Sequence, residues 1–519
     1  MGCGRRVLLS RRAAGHNLLP CPILSESRDQ SNPESDGQIK SGRLVGKSLP
    51  AAIAIVALPV MVQQVLAASV GLVDKMLAGA LPDAIVASAL DGLGVGSYVG
   101  WFIGVAMAGL GIGGQALIAR AMGGGDVELG ERSLGQALGL SMIWGVLVAA
   151  VLWLGAPLLA EIALTPEQVE ARRFCIEYVR IISYGLPFFG LMMVGGMCMY
   201  GAGESIRPSV IAFAVNIVNV VMSWILSGAD FAWGTAALDN PFGWDLHVEG
   251  IAWGSTISFV VGGLLTIFVL LGGIRDLRLR LAALWLHWEM AWRVVRIGLP
   301  NFLEGCSMWA ANIVVLWMIG RIAANEMEQA ASAGEASGAG NGLQGAHIIA
   351  VQWEAFSFLP GFAIGMAAGT IAGQFLGAGN VRMARRAVWS CLGLGVLLMG
   401  LCGIGLMLWG QSLTQVISSE DVHLEVVPKL LFICGATQIF FAISMVVRQA
   451  LRGTGDTLWV FLITTASSYL VRLPLAWVLG IVLEMGLVGI WIGLCGELVV
   501  RALLFLARFL HGGWANKAL

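Results

Sequence analysis

The stretch GIGGQALIARAMGGGDVELGER at residues 111–132 returns in related form as GMAAGTIAGQFLGAGNVRMARR at residues 365–386. Each copy ends an apolar segment with a glycine cluster, which is followed by Asp126 or Asn380 and then by basic residues. A repeat on this scale indicates that the chain contains two related halves. The glycine clusters are not followed by Lys-Ser/Thr, so they predict the ends of helices and not phosphate-binding loops.

The composition identifies the solvent around these halves. Apolar residues make up 57% of the chain and charged residues 12%, and the mean hydropathy is +0.81. A soluble globular chain carries about twice that charged fraction. Because so few polar groups cannot cover the apolar surface, the surrounding medium is predicted to be lipid. The basic residues fall in short loops and not on one extended face, which argues against nucleic acid as a partner.

Apolar segments long enough to cross a bilayer recur along the chain, and a helix satisfies its own backbone in lipid. The predicted fold class is therefore an all-α membrane protein with 12 transmembrane helices in two pseudo-symmetric six-helix bundles. The predicted spans are 49–79, 93–122, 133–157, 174–200, 208–228, 248–272, 294–322, 344–376, 387–410, 427–452, 458–480 and 487–510.

Two further matches fix the relation between the halves. YGAGES at 200–205 matches RGTGDT at 452–457, and segment 58–79 matches segment 299–320 with the proline and the closing glycine in register. Corresponding segments begin on the same side of the membrane, so the halves are predicted to be parallel repeats about an axis along the membrane normal. This is a transporter architecture, in which substrate binds between the halves and a rocking motion exposes it to each side in turn.

Charge in the loops predicts the orientation. Loops 273–297 and 377–386 are rich in arginine, whereas loops 81–92 and 229–247 contain aspartates and no Lys or Arg. Since basic loops stay in the cytoplasm, both termini are predicted to be cytoplasmic, in a multi-pass protein of the plasma membrane, the inner membrane of a bacterium. The predicted domains are a disordered cytoplasmic tail (1–45), an N-terminal six-helix bundle (46–272), a cytoplasmic linker (273–293) and a C-terminal six-helix bundle (294–511).

Taken together, residues 47–510 resemble the multidrug and toxic compound extrusion (MATE) family. The resemblance rests on VDKMLAG in the first span, the turns ARAMGGGD, GQFLGAGN, GAGES and LRGTGDT, AVNIVNVVMS in the fifth span and AHIIAVQWEAFSFLPGFAIGMAAG in the eighth. It implies two bundles forming a V, and efflux of cationic or amphipathic compounds coupled to entry of Na⁺ or H⁺. The expected partners are a small organic substrate and membrane lipid. No cofactor beyond the coupling ion is expected, and the chain is expected to be a monomer.

The first span contains a carboxylate, Asp74, and a charge within a membrane requires a reason. Its counterpart in the second half is Val315, so the repeat does not require an acid there. We interpret Asp74 as the residue that binds Na⁺ or a proton, and the resemblance places the family's amino-terminal cation site here. The alternative is a salt bridge with Arg180 or Lys75. Pro59 removes one backbone hydrogen bond from this helix, which predicts either a bend coupled to Asp74 or a static kink.

The fifth and sixth spans offer neutral oxygen ligands. The amide oxygen of Asn219 suits Na⁺ and makes it a second candidate ligand beside Asp74. The resemblance implies an aspartate four residues later, where this chain has Ser223, so one expected carboxylate is missing. By the same resemblance Ser255 matches a Ser/Thr ligand position. The alternative for both serines is helix packing, in which small polar residues are common.

Other charges inside the spans are candidates for the substrate cavity. Glu304 and Glu354 are interpreted as residues that line the cavity and attract cationic substrate. Arg180 either pairs with Glu177 or faces Asp74. Each remaining charge has a structural interpretation: Arg472 is expected to pair with an acid or with backbone carbonyls, Glu497 with Arg501, and Asp456 to cap a helix or form a turn.

Two alternatives to a drug exporter remain. A flippase for lipid-linked saccharides has a related fold, and it requires a more cationic cavity than these mixed charges provide. A membrane-embedded enzyme requires a cluster such as paired histidines. The chain has six histidines, and all lie in tails, loops or near span ends, so no enzyme is predicted.

Overall fold

Twelve long helices make up most of the described chain, which in the computed structural model comprises residues 37–82, 85–233, 236–238, 240–242, 244–333 and 342–517. All twelve are long and apolar enough to cross a membrane, which confirms the predicted number of spans. The helices are α1 Leu49–Gly79, α2 Val86–Gly124, α3 Val127–Ala163, α4 Val169–Gly201, α5 Ile206–Ser227, α6 His247–Gly272, α7 Trp288–Ala333, α8 Leu343–Gly377, α9 Val381–Ile417, α10 Asp421–Gly453, α11 Thr457–Val482 and α12 Gly486–His511.

Short elements interrupt this pattern in three places. The loop between α5 and α6 forms an antiparallel hairpin of β1 Phe231–Trp233 and β2 Ala236–Leu238. A single 3₁₀ turn, Leu281–Leu284, lies between α6 and α7. Helix α11 widens into π-helical turns at Ser468–Arg472 and Val478–Val482. Such turns relax the backbone ladder beside a proline, and a proline lies between them.

The repeated turns adopt the same local structure in both halves. The Asp126 side chain caps α3 by accepting a hydrogen bond from the Leu129 amide (3.0 Å), and Asn380 caps α9 by accepting one from the Met383 amide (2.9 Å). The glycine before each cap has a positive φ, +79° before Asp126 and +77° before Asn380. A left-handed residue ends a helix, and glycine adopts that conformation without strain. The prediction that these clusters end helices is confirmed.

Most of these turns lie at one end of the molecule, which we call the basic end. There α2, α4, α6, α8, α10 and α12 end, and α1, α3, α5, α7, α9 and α11 begin. At this end the first part of α1 packs into the second half of the chain: Ile53 and Val56 are buried in one cluster with Ile364 and Ala367 of α8. Packing therefore crosses the predicted boundary between the bundles.

The start of α7 makes the reciprocal exchange. Val294 and Ile297 are buried in a cluster with Ala116 of α2 and Leu138 of α3, in the first half of the chain. Helices α1 and α7 are equivalent in the repeat, so the two halves exchange the same segment. The molecule is consequently closed at the basic end by apolar contacts from both halves.

The predicted disordered tail is too long. Residues 1–36 lie outside the described residues, but the segment that follows packs against the basic end. The Ser41 amide donates to the Met122 carbonyl (3.1 Å), the Gly42 amide donates to Asp276 (2.9 Å), and Arg43 pairs with Glu204. Residues 37–45 are ordered because helix ends leave backbone groups unpaired, and this segment satisfies them.

Candidate functional site

Asp74 lies in the last two turns of α1. Its Oδ1 atom is enclosed and has no hydrogen-bond partner among the described residues. The nearly buried Tyr178 of α4 is close enough for electrostatic interaction with it. No ion pair to Asp74 is present in the described part of the chain, and the side chain of Lys75 lies outside that part. Asp74 is half-buried, and an enclosed carboxylate oxygen without a partner is costly, so this site favours a proton or a cation.

Arg180 does not make either of the contacts expected for it. Its guanidinium lies over the ring of Trp153, 4.8 Å from the centroid, in a cation–π contact. Glu177 pairs with Arg173 instead, at 2.8 Å. Spacings of three and four residues both bring side chains together on a helix, and the outer arginine also keeps the ion pair exposed to solvent. The predicted Glu177–Arg180 pair is therefore wrong, and so is the alternative salt bridge between Arg180 and Asp74.

Asn219, Ser223 and Ser255 come together between α5 and α6. The Asn219 amide nitrogen donates to Ser255 Oγ (2.9 Å), and Ser223 Oγ donates to the Ile251 carbonyl (3.4 Å). The hydrogen bond to Ser255 points the amide oxygen of Asn219 the other way, and that buried oxygen has no partner among the described residues. Gly254 permits this close approach, since a Cβ there would overlap Ser223. The serines thus serve packing, and Asn219 retains one free oxygen.

Pro59 is in the middle of α1, which is one helix from Leu49 to Gly79. Residues before the proline, such as Ile53 and Val56, pack against α8 of the other half, and so does Val60 directly after it. Beyond this contact α1 continues to Asp74. The proline weakens the backbone ladder between these two parts. Beside it, Gln63 of α1 accepts a hydrogen bond from the hydroxyl of Tyr200, at the end of α4.

Glu304 is 1% exposed and anchors a polar cluster in the second half. It accepts a hydrogen bond from Arg452 (2.6 Å) and from Thr464 (2.9 Å), and Arg448 lies 3.7 Å away. The two arginines of α10 were not among the predicted residues. Their spacing of four residues on one helix face was the available signal. Glu304 is neutralised by these arginines, so its predicted role of attracting cationic substrate is not supported by its surroundings.

A second ion pair lies deeper in the same half. Glu497 and Arg501 of α12 form two hydrogen bonds of 2.7 Å, as predicted. Arg472, at the end of a π-helical turn, has an enclosed Nε atom without a partner. In the described part of the chain it forms neither an ion pair within 4 Å nor a hydrogen bond to a backbone carbonyl, so neither expected partner is present. Glu354 of α8 is within electrostatic range of Arg472 but likewise forms no described ion pair. Among the described residues, these two internal charges of the second half are thus without a close ion-pair partner.

Asp456 connects the end of the chain to the basic end. It is fully buried and pairs with Arg508 (2.8 Å) and Lys517 (2.9 Å). It precedes α11, yet its side chain makes no capping hydrogen bond. Asp456 therefore lies in the turn at the start of α11, as predicted, but its carboxylate pairs with two cations and does not cap the helix. Arg120 of α2 donates to the Lys517 carbonyl (2.6 Å), which ties the terminal segment to the first half.

Hydrogen bonds between the halves complete the closure of the basic end. The amide nitrogen of Gln115 in α2 donates to Thr370 Oγ1 in α8 (3.2 Å). The amide nitrogen of Gln374 in α8 donates to the Gly201 carbonyl at the end of α4 (2.8 Å). All four residues are buried. Buried hydrogen bonds between the halves thus add to the apolar contacts that close the molecule at the basic end.

Comparison with known proteins gives one family. The MatE family model matches residues 59–225 and 344–478. The probable multidrug resistance protein NorM of Thermotoga maritima is 27% identical over 464 residues, which cover 89% of this chain and 92% of that protein. The multidrug resistance protein PmpM of Pseudomonas aeruginosa is 26% identical over 467 residues, covering 87% of this chain and 89% of that protein.

Solved structures share the fold. A crystal structure of MATE in the straight conformation superposes with a TM-score of 0.78 at 19% identity, covering 91% of this chain and 98% of the other. A structure described as the outward-facing conformation of a multidrug resistance MATE family transporter gives a TM-score of 0.78 at 20% identity, covering 92% and 100%. These likenesses confirm the predicted all-α fold with twelve membrane-spanning helices.

Proposed function

Since the chain belongs to the MatE family of multidrug efflux transporters and is not an enzyme, we propose that it is a secondary antiporter that exports cationic or amphipathic organic compounds in exchange for Na⁺ or H⁺. The observation that carries this proposal is the enclosed, unpartnered carboxylate oxygen of Asp74. In an antiporter the same site must be neutralised and then emptied during each cycle. A carboxylate held by a permanent ion pair does not meet that requirement, whereas Asp74 has no such pair among the described residues.

The structure of α1 suggests how neutralisation at Asp74 acts on the rest of the molecule. Asp74 follows Pro59 by about four turns, whereas Ile53 and Val56, which pack against α8, precede it. When the carboxylate takes a proton or Na⁺, its cost of burial falls and the outer part of α1 can pack more tightly. The proline lets that part move without carrying the whole helix, and the contact with α8 then transmits the change to the other half.

Asn219 supports a role for Na⁺ as one coupling ion. Its buried amide oxygen is an unpaired acceptor, and Na⁺, like other hard cations, prefers such oxygens. With Ser223 in place of an acid, this cluster contributes no negative charge of its own. Asp74 is therefore the charged member of the proposed site and Asn219 a neutral one. A proton needs Asp74 alone, and Na⁺ benefits from both.

The charges of the second half favour an exporter over a flippase for lipid-linked saccharides. A flippase cavity must hold a pyrophosphate with free cations. Here Arg452 is occupied by Glu304, and Arg501 by Glu497. That leaves Arg472 as the internal arginine of α10–α12 without a close acid in the described part of the chain. One free guanidinium beside a free Glu354 fits an amphipathic solute better than a pyrophosphate.

The loop charges support the proposed setting of the protein. The chain is a multi-pass membrane protein, and its relatives NorM and PmpM come from bacteria. We place it in the inner membrane as a monomer, with the basic end and both termini in the cytoplasm, because arginine-rich loops remain on that side. In this placement the closed basic end makes the described conformation an outward-facing one.

Transport by reconstituted protein tests the proposal. Efflux of a fluorescent organic cation from proteoliposomes is measured with a Na⁺ gradient and a pH gradient imposed separately, for the wild type, Asp74→Asn and Asp91→Asn. Asp91 is exposed and bonded to Gln168, so it is the matched control. Asp74→Asn is expected to lose gradient-driven efflux while Asp91→Asn retains it. Normal efflux by Asp74→Asn under both gradients would refute the role of Asp74, and failure of both gradients to drive the wild type would refute antiport.

A further inference from the structure

An apolar groove runs along the outside of the molecule where the two halves meet. It has a volume of about 430 Å³. One wall is the first part of α1 and the other is formed by α8 and α9. Its lining residues are Leu49, Pro50, Ile53, Ala54, Ala57, Leu58 and Met61 of α1, Ala363 and Ile364 of α8, and Arg386, Ser390, Leu394 and Leu398 of α9. The groove therefore combines a long apolar floor with one cation.

The cation lies at the basic end of the groove. Arg386 is in the second turn of α9, and it is exposed. Within the described residues it makes no ion pair or hydrogen bond, unlike the arginines of α10 and α12. Ser390 lies one turn further along the same helix face and adds a hydroxyl group beside the guanidinium. The mouth of the groove is thus polar and positive.

Beyond this mouth the groove faces the bilayer. Leu58 is 56% exposed and Leu394 is 37% exposed, on the two opposite walls. Exposed leucines on membrane helices are in contact with lipid chains. A ligand that fits must have an anionic group at one end, at the depth where the helices leave the membrane, and a hydrocarbon chain that extends into it. A soluble anion satisfies the first requirement alone, and a neutral lipid the second alone.

We propose that this groove is a binding site for an anionic phospholipid, with the phosphate at Arg386 and an acyl chain between α1 and α9. Arg is the side chain best suited to bind phosphate, through paired N–H donors, and basic pockets between transmembrane helices bind anionic head groups. The Ser390 hydroxyl donates a further hydrogen bond to the head group.

The position of the groove gives the bound lipid an effect on conformation. One wall belongs to a helix of the first half and the other to helices of the second half, and the two walls pack together in the described conformation, in which the basic end is closed. A ligand that contacts both walls binds this arrangement more tightly than one in which they separate. Anionic phospholipid consequently stabilises the conformation described here, whichever solute and ion the protein carries.

Thermal unfolding of the purified full-length protein in detergent tests this site. Melting temperature is measured with increasing palmitoyl-oleoyl phosphatidylglycerol, with the same amounts of palmitoyl-oleoyl phosphatidylcholine, and with inorganic phosphate. Phosphatidylglycerol is expected to raise the melting temperature, and the other two are expected to have little effect. A rise of equal size with phosphatidylcholine, or with inorganic phosphate, would overturn the proposal of an anionic lipid.

Two pairs of variants locate the site. Arg386→Gln is expected to raise the phosphatidylglycerol concentration for half the effect about fivefold, the contribution of one basic residue near a membrane surface. Arg382→Gln is its control, since Arg382 is exposed on the same helix but does not line the groove. Leu394→Trp fills the groove and is expected to abolish the effect, whereas Leu397→Trp, on a neighbouring exposed position outside it, is not. Melting without lipid verifies that each variant is folded. Equal responses within either pair would place the lipid elsewhere and refute the site.

Discussion

Gly123 and Gly377 occupy equivalent positions in the two halves, and each packs against a backbone carbonyl of the opposite half. A Cβ on Gly123 would overlap the carbonyl oxygen of Gln374, and one on Gly377 would overlap that of Arg120. Residues 120 and 374 are also equivalent in the repeat, so the contact is made twice, once in each direction. Neither position tolerates a side chain while the basic end is closed.

Gly123→Ala is expected to open the basic end. The overlap with a backbone atom costs about 1–3 kcal/mol in the closed form, which is roughly a fivefold to hundredfold shift away from it. Hydrogen exchange of residues 37–48, which cover this end, measures the change and should become faster. Gly104→Ala in the same helix is the control, because its Cβ has open space. Unchanged exchange in Gly123→Ala would mean that the glycine contact does not hold the end closed.

Removal of the charge of Glu304 is expected to destabilise the second half. Glu304→Gln leaves Arg452 and Arg448 buried without their acid, and loss of one partner of a buried ion pair costs about 3–5 kcal/mol. The free energy of unfolding in mixed detergent micelles measures this loss. Glu425→Gln is the control, since Glu425 pairs with Lys429 on the exposed surface and little change is expected there. Equal stability of both variants would contradict the assigned network.

Asn219→Ala distinguishes efflux coupled to Na⁺ from efflux coupled to H⁺. It removes the free amide oxygen and is expected to raise the Na⁺ concentration for half-maximal efflux about tenfold, the effect of losing one ligand interaction of 1.4 kcal/mol. Efflux driven by a pH gradient should persist, since a proton needs Asp74 alone. Ser227→Ala is the control, because the Ser227 hydroxyl donates to the Trp224 carbonyl of its own helix. A Na⁺ response that matches this control would exclude Asn219 as a ligand.

Asp456→Asn is expected to release the terminal segment. The variant weakens the pairs with Arg508 and Lys517, at roughly 2–3 kcal/mol for charged hydrogen bonds. Because the Lys517 carbonyl accepts from Arg120, hydrogen exchange of residues 512–517 should become faster. Asp421→Asn, at an exposed position at the start of α10, should leave that exchange as it is. If the segment stays protected in Asp456→Asn, its order depends on Trp514 packing and not on these ion pairs.

The sequence was informative where structure is local. The spans follow from the length of apolar segments, and the caps Asp126 and Asn380 follow from turn chemistry within a few residues. Arg501 and Glu497 are four residues apart on one helix, and their pair was predictable for that reason. These features need no knowledge of how distant helices pack.

Contacts between distant helices were not predictable in this way. Arg452 reaches Glu304 across 148 positions of the chain, and no local pattern joins them. Glu177 has Arg173 four residues before it and Arg180 three residues after it, and both spacings allow an ion pair. Glu177 pairs with Arg173 because Arg180 lies over the ring of Trp153, on another helix. The exchange of the first segments of α1 and α7 has no signature in hydropathy, because a membrane helix is apolar whichever half it packs against. The coupling role of Asp74 remains a prediction.

That exchange has a consequence for how the protein is made. The ribosome releases the first part of α1 long before α8 exists, and this part finds its packing surface only after most of the chain has been inserted. The start of α7 then settles against helices that were synthesised earlier. When the first six helices have been inserted, the first part of α1 therefore lacks its packing partner α8, and the surface of α2 and α3 lacks the start of α7. Completion of the native structure awaits the second half, so the two halves mature together and not one after the other.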